Sequence, residues 1–272
     1  MRKAFSIFFL FLFVEFSVCA NSTLKASDEK AVNDVMQFRL TLLDKDSQAA
    51  LTKINEYKNS ALSNKELSVQ AYLIIESFLI LEQFNYIYEA NQKDERLKDL
   101  ILPQVRKLDE FIEKNEKSEI NKWLWTIAGD TISCSLGFMP TGEAMKRGLV
   151  IKTYYLNAIE QDACFSYALM NAGQWFFQAP AIGGGSKTKA RSYFEAAVTN
   201  AKTPAEVYYS NAFLSQSRFD EDRKEEAAAL LKKAEEVKKG GFLVDKMKKV
   251  NELGYHYFYY IMHRKEIDKK IK

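Results

Sequence analysis

The chain has 272 residues, 47% of them hydrophobic and 13% aromatic, with 39 Lys and Arg against 36 Asp and Glu, a net charge of +3. That balance, with both signs interspersed, excludes the strongly basic face of a nucleic-acid binder; the terminal "KEIDKKIK" reads as a solvated helix end. Three cysteines and two histidines leave little room for a disulfide framework or a metal cluster.

The N-terminus has the order of a secretory signal peptide. Arg2 and Lys3 precede an apolar run from Ala4 to Val14, and Val18-Cys19-Ala20 places small or β-branched residues before a cut at Asn21. The run is short for a membrane span, and Glu15 interrupts it. Two other readings stay open: lipidation of Cys19 after a cut behind Val18, and an uncut anchor. The expected organisation is therefore residues 1–20 as signal peptide and 21–272 as one exported domain, periplasmic or secreted. Its membrane contact would come only through a lipid on Cys19.

The remainder reads as all-α. Only four prolines occur, and no stretch alternates apolar with polar for long enough to be a strand. Residues 28–117 predict degenerate helices over 28–60, 66–91 and 103–115, the last with Pro103 in its first turn. Within 66–91, Glu76-Ser77 is similar to the Glu-Ser pair of lytic transglycosylases. The Gly-Leu-Met-Gln-type segment of that family is missing, so Glu76 is assigned to a polar helix face.

Three later segments share one pattern. Ile151, Tyr154, Tyr155, Ala158 and Ile159 are spaced i, i+3, i+4, i+7, i+8. Ala190, Tyr193, Phe194, Ala197 and Val198 repeat that spacing, and Ala227, Leu230, Leu231, Ala234 and Val237 nearly do. Each set is a helical stripe, and recurrence at 39 and then 37 residues indicates stacked helical hairpins. Spacing and residue types resemble tetratricopeptide (TPR) repeats, whose second helices carry small residues seven apart. Gly129, Gly173 and Ala212 sit where the first helices of that family need a small residue for close approach. The resemblance covers residues 118–240 as repeats 118–162, 163–202 and 203–240, and 242–265 would be a capping helix. The register puts Cys134 and Cys164 roughly 20 Å apart, so two free, mostly buried thiols are expected.

Between the first and second stripes lies "APAIGGGSKTK", residues 179–189. It lacks the Gly before the Lys of a P-loop, and the preceding "CFSYALMNAGQWFFQ" is a helix rather than a strand. Pro180 to stop one helix, glycines to reverse the chain and Ser186 to cap the next explain every residue as a turn. The loop also resembles the Pro-to-Gly-Gly inter-helix loops of some bacterial exported repeat proteins. His256 and His263, seven apart, are assigned to packing rather than to a zinc site.

The TPR resemblance implies a concave groove lined by the first helices. Its expected lining is Trp123, Thr126, Asp130 and Ser133 from the first repeat, and Tyr167, Met170, Gln174 and Phe177 from the second. The third supplies Glu206, Tyr209, Phe213 and Gln216. Aromatics and amides without a single Lys or Arg suit a peptide, a partner helix or a sugar better than phosphate. The expected function is a non-catalytic protein–protein scaffold of the cell envelope, with an envelope protein or peptide as partner and no cofactor or metal. Two alternatives stand beside it: a periplasmic accessory of tripartite (TRAP-type) transporters, taking a small apolar solute or a solute-binding protein, and a cell-wall carbohydrate-active enzyme. The protein's own terminal helices could equally fill the groove.

Overall fold

The computed structural model describes residues 23–271, so the expected signal peptide and Cys19 lie outside the described residues. Thirteen α-helices occur among the described residues, and no strand. The first four are α1 (Ala26–Leu40), α2 (Ser47–Ala61), α3 (Val69–Ala90) and α4 (Arg96–Lys114). The three repeat segments follow as pairs: α5 (Lys122–Ser135) with α6 (Thr141–Gln161), α7 (Ser166–Gln178) with α8 (Lys187–Asn200), and α9 (Pro204–Asp220) with α10 (Lys224–Val237). The chain closes with α11 (Phe242–Glu252), α12 (Tyr257–Met262) and α13 (Arg264–Ile267).

The repeated stripes are the packing faces of these pairs. Ile151, Tyr155 and Ala158 of α6 are buried, as are Ala190, Phe194 and Ala197 of α8, and Ala227, Leu231 and Ala234 of α10. The small residues of the first helices permit the approach. A Cβ on Gly129 would stand 2.5 Å from the Tyr155 ring, and one on Gly173 2.6 Å from the Phe194 ring. In the third pair the residue equivalent to Tyr155 and Phe194 is Leu231, and a methyl is accommodated at Ala212. Glycine thus faces the aromatic rings, and alanine sits in the pair that has leucine.

The elements before the repeats depart from the pattern expected of them. The stretch 28–60 is two helices, broken at 41–46, with Asp46 capping α2 by accepting from Ala49 N at 2.8 Å. Leu42 and Leu43 are buried inside that break, so the apolar pattern runs through the turn and conceals it. Tyr86 Oη donates to Leu42 O at 2.7 Å, and Phe242 N donates to Leu43 O at 2.9 Å. The helix expected at 103–115 begins at Arg96, which places Pro103 in the interior of α4. The ring there deprives the Asp99 carbonyl of its helical donor. Glu76 is not on a solvated face: α3 is buried on all sides from Leu73 to Glu82, as a helix apolar all round must be. Its carboxylate is 2.9 Å from Lys107 of α4, and Ser77 accepts from Gln104 of the same helix.

The glycine segment is a turn. Helix α7 ends at Gln178, a short 3-10 turn covers Ala181–Gly183, and Gly184 has φ +94°. Gly185 passes so close to the α7 terminus that a Cβ would lie 1.8 Å from Ala179 O. Ser186 caps α8 through Lys189 N. The capping helix expected at 242–265 is three shorter ones: Gly254 at φ +85° ends α11, and His256 caps α12 by accepting from Tyr259 N at 3.1 Å. Both cysteines are free, but Cys164 is exposed rather than buried. It lies in the tight turn between α6 and α7, where Asp162 accepts from its backbone N–H.

Gly173→Ala should lower stability by about 1–3 kcal/mol in urea unfolding, because the added methyl meets a packed ring. Phe194→Leu in the same chain should recover part of that loss, so that the double variant is less destabilised than the sum of the singles.

Candidate functional site

Helices α3, α5, α7 and α9 pack side by side in that order, and α1 contacts both α3 and α9. Helix α1 therefore lies against helices that carry expected groove residues. Val32, Val35 and Met36 of α1 are wholly buried, and its polar residues meet those helices. Trp123 Nε1 donates to Glu29 at 3.0 Å, and Ala205 N donates to Gln37 at 3.2 Å. Arg39 Nε donates to Glu82 of α3 at 2.6 Å, and its guanidinium lies 4.7 Å from the Tyr209 ring centre and 5.7 Å from that of Phe78.

Each expected groove residue can now be placed. Trp123, Thr126, Tyr167, Met170, Tyr209 and Gln216 are buried. Trp123 sits among the rings of Phe78, Phe165 and Tyr167. Thr126 returns its hydroxyl to Lys122 O. Glu206 is the third residue of a capping box with Thr203 and binds the backbone N–H groups at the start of α9. Gln216 is engaged throughout: its amide donates to Ser215 and Asn251, and its oxygen accepts from Asn251 and Tyr257 N. Phe177 and Phe213 are half-buried against Phe258 of α12. Asp130 and Gln174 are also half-buried, and Ser133 is exposed. Helix α1 thus covers the N-terminal halves of the first helices, and α12 covers the far end.

Asp130 is the centre of a polar cluster. Its carboxylate accepts from Tyr155 Oη at 2.7 Å, from Tyr167 Oη and from Asn171 Nδ2 at 3.2 Å, while Gln174 donates to Asn171 at 2.9 Å. Burial raises its pKa to about 6, although Tyr167, Tyr155, Arg39 and Asn171 all pull the other way. Burial, then the charges of Asp130 and Glu82, push the Cys134 thiol to about 12, so it carries no thiolate at neutral pH.

The sequence reading missed Arg39, Glu82, Tyr155 and Asn171 as members of this cluster. One signal was present: Glu76 and Glu82 are the only charges in an otherwise apolar "YLIIESFLILE", and a buried carboxylate needs a cation. Lys107 and Arg39 supply them. The two histidines fall elsewhere. His256 Nε2 is 3.3 Å from Asp220, with its Nδ1 occupied by the α12 cap, and His263 stacks on Tyr259 at 4.1 Å. Burial lowers the His256 pKa against the pull of Asp220. Among the described residues no group of three or more His, Cys, Asp or Glu could hold a metal ion, and no helix is long and apolar enough to cross a membrane.

Arg39→Met should cost about 3–5 kcal/mol in thermal or urea unfolding, because Glu82 is left charged in a buried site. Adding Glu82→Met should return most of it. For Asp130 the folded pKa lies above the ordinary 3.8, so its contribution is greatest below about pH 4 and is lost as pH rises through about 6. Asp130→Asn should flatten the fall in melting temperature across that window while leaving the ordering at pH 4 little changed.

Compared with protein-family models and with curated proteins, the chain matches none.

Proposed function

We propose that this protein is a non-catalytic interaction module of the cell envelope, exported by its N-terminal segment and built from three TPR-like hairpins in series with α11–α13 closing the end. The support for a repeat array is the recurrence of one buried stripe in α6, α8 and α10 at near-constant separation along the chain, with Gly129 against Tyr155 and Gly173 against Phe194 in the first two pairs. The partner is an envelope protein or peptide.

One observation carries the binding reading. Asp130, Ser133, Gln174 and Phe177 keep solvent exposure on the C-terminal halves of α5 and α7, whereas the N-terminal halves lie under α1. The accessible strip offers a hydroxyl, an amide and one aromatic edge, beside a carboxylate already held by Tyr155, Tyr167 and Asn171. A hydroxyl and an amide pair with the backbone groups of a short peptide. An extended peptide running the whole length of the first helices is disfavoured, because α1 already occupies that line with core residues.

This strip makes the test specific. Tyr209 and Trp123 are core residues, so their truncation would report folding. Ser133→Trp and Gln174→Arg alter only the open positions. Each should keep the wild-type unfolding midpoint within about 0.5 kcal/mol and lose an envelope protein that the wild type enriches in a pull-down. Equal enrichment by both variants and the wild type would exclude this strip as the binding surface.

A further inference from the structure

A second surface combines protruding aliphatic side chains with cations. Ile182, on the turn between α7 and α8, is 99% exposed; Met145 and Leu149 of α6 are 71% and 50% exposed. Met145, Leu149 and Lys152 fall within about 60° of one another around α6. The turn is held beside this stripe. Lys152 Nζ would be 3.5 Å from a Cβ on Gly184, and Trp175 Nε1 donates to Gly148 O at 2.8 Å. The aliphatics of α6 and the tip of the turn are therefore neighbours on one side of the molecule.

Three cations near them lack a carboxylate partner. Lys146, Lys152 and Lys189 form no salt bridge among the described residues. Lys152 lies over the Trp175 ring at 5.1 Å and Lys189 over the Phe176 ring at 5.6 Å. Their neighbours Lys187 and Arg191, by contrast, are engaged by Asp220 and Glu221. Of the other charges on this part of α6, Glu143 is turned about 160° from Met145 but only about 60° from Lys146, which lies at the edge of the stripe, and Arg147 reaches back to Asp109 of α4 at 2.9 Å.

Fully projecting aliphatics, a tryptophan behind them, and lysines whose stems run over aromatic rings while their ammonium groups stay outside form the pattern of an interfacial contact. A protein partner would need a preformed apolar pocket for Ile182 with carboxylates placed around it for the lysines, whereas an anionic lipid surface supplies both in its headgroup–acyl layer. We propose that this face docks on an anionic phospholipid membrane. Ile182, Met145 and Leu149 enter the headgroup–acyl boundary, and Lys146, Lys152 and Lys189 meet the lipid phosphates. Such a contact is additional to any lipid on Cys19 and independent of the concave strip.

The test uses the full chain with Cys19→Ser and Cys164→Ser, Cys134 being retained as an unreactive thiol. An environment-sensitive dye is attached to I182C in one preparation and to K53C, on the exposed face of α2, in another. Vesicles of phosphatidylcholine with about 30% phosphatidylglycerol should shift the dye to the blue at position 182 but not at 53, and phosphatidylcholine alone should do neither. Reversal of the three lysines (K146E, K152E, K189E) should weaken the response at 182 by at least about tenfold in lipid concentration, with the unfolding midpoint unchanged. The N-terminal apolar run is common to every sample, so it cannot produce that difference. The proposal falls if the protein co-sediments with vesicles while position 182 is silent, or if neutral vesicles shift it equally. It falls too if 182 answers only to delipidated envelope protein, which would make the partner an acidic protein.

Discussion

The fold depends on α1 lying against the first helices of the repeats. Without it Trp123, Tyr167 and Tyr209 would line an open aromatic trough, and the Glu82 carboxylate would be buried without its guanidinium. With it, three aliphatics of α1 join the largest core cluster, and Glu29, Gln37 and Arg39 each find a partner on a different helix: α5, α9 and α3. Apolar burial gives this contact its strength. The three polar contacts fix its register, because a one-turn slide of α1 would leave Glu82 uncompensated and the Trp123 N–H without its acceptor.

What was legible in the sequence follows from which interactions are local. The pairs α5–α6, α7–α8 and α9–α10 were readable because their stripes recur at a near-constant interval, and Gly129 and Gly173 face rings only some twenty to thirty residues away. The breaks at 41–46 and 253–256 were not. Leu42 and Leu43 prolong the apolar pattern through the first, and aromatics on either side bridge the second, where only Gly254 marked a change of direction. Pro103 misled because its value as a first-turn residue is a matter of propensity, and tertiary packing of Leu97 and Ile101 extended α4 ahead of it.

For the first helices, sequence spacing named a set of residues expected to share one face. It could not say what meets them. Glu29, Gln37 and Arg39 look like an ordinary solvated face on a short helix, and their partners lie 43 to 168 residues away. Glu206 shows the limit of carrying a position over by resemblance: the residue is in register, yet Thr203 three places earlier makes it a cap. Asp130 had the opposite outcome, since its two tyrosines and Asn171 come from α6 and α7 and concentrate on one carboxylate what the sequence had spread over two repeats.

An open row of hairpins can assemble from any point, each unit leaning only on its neighbour. Here the beginning and the end are sewn together: Leu43 takes a hydrogen bond from Phe242, Asp44 pairs with Lys238, and Arg264 pairs with Glu89. Loop-closure entropy must be met before those contacts return anything. The interior therefore cannot be completed until residues 238–264 have come back to residues 43–89, so the segment between them must wait on a closure that spans most of the described fold.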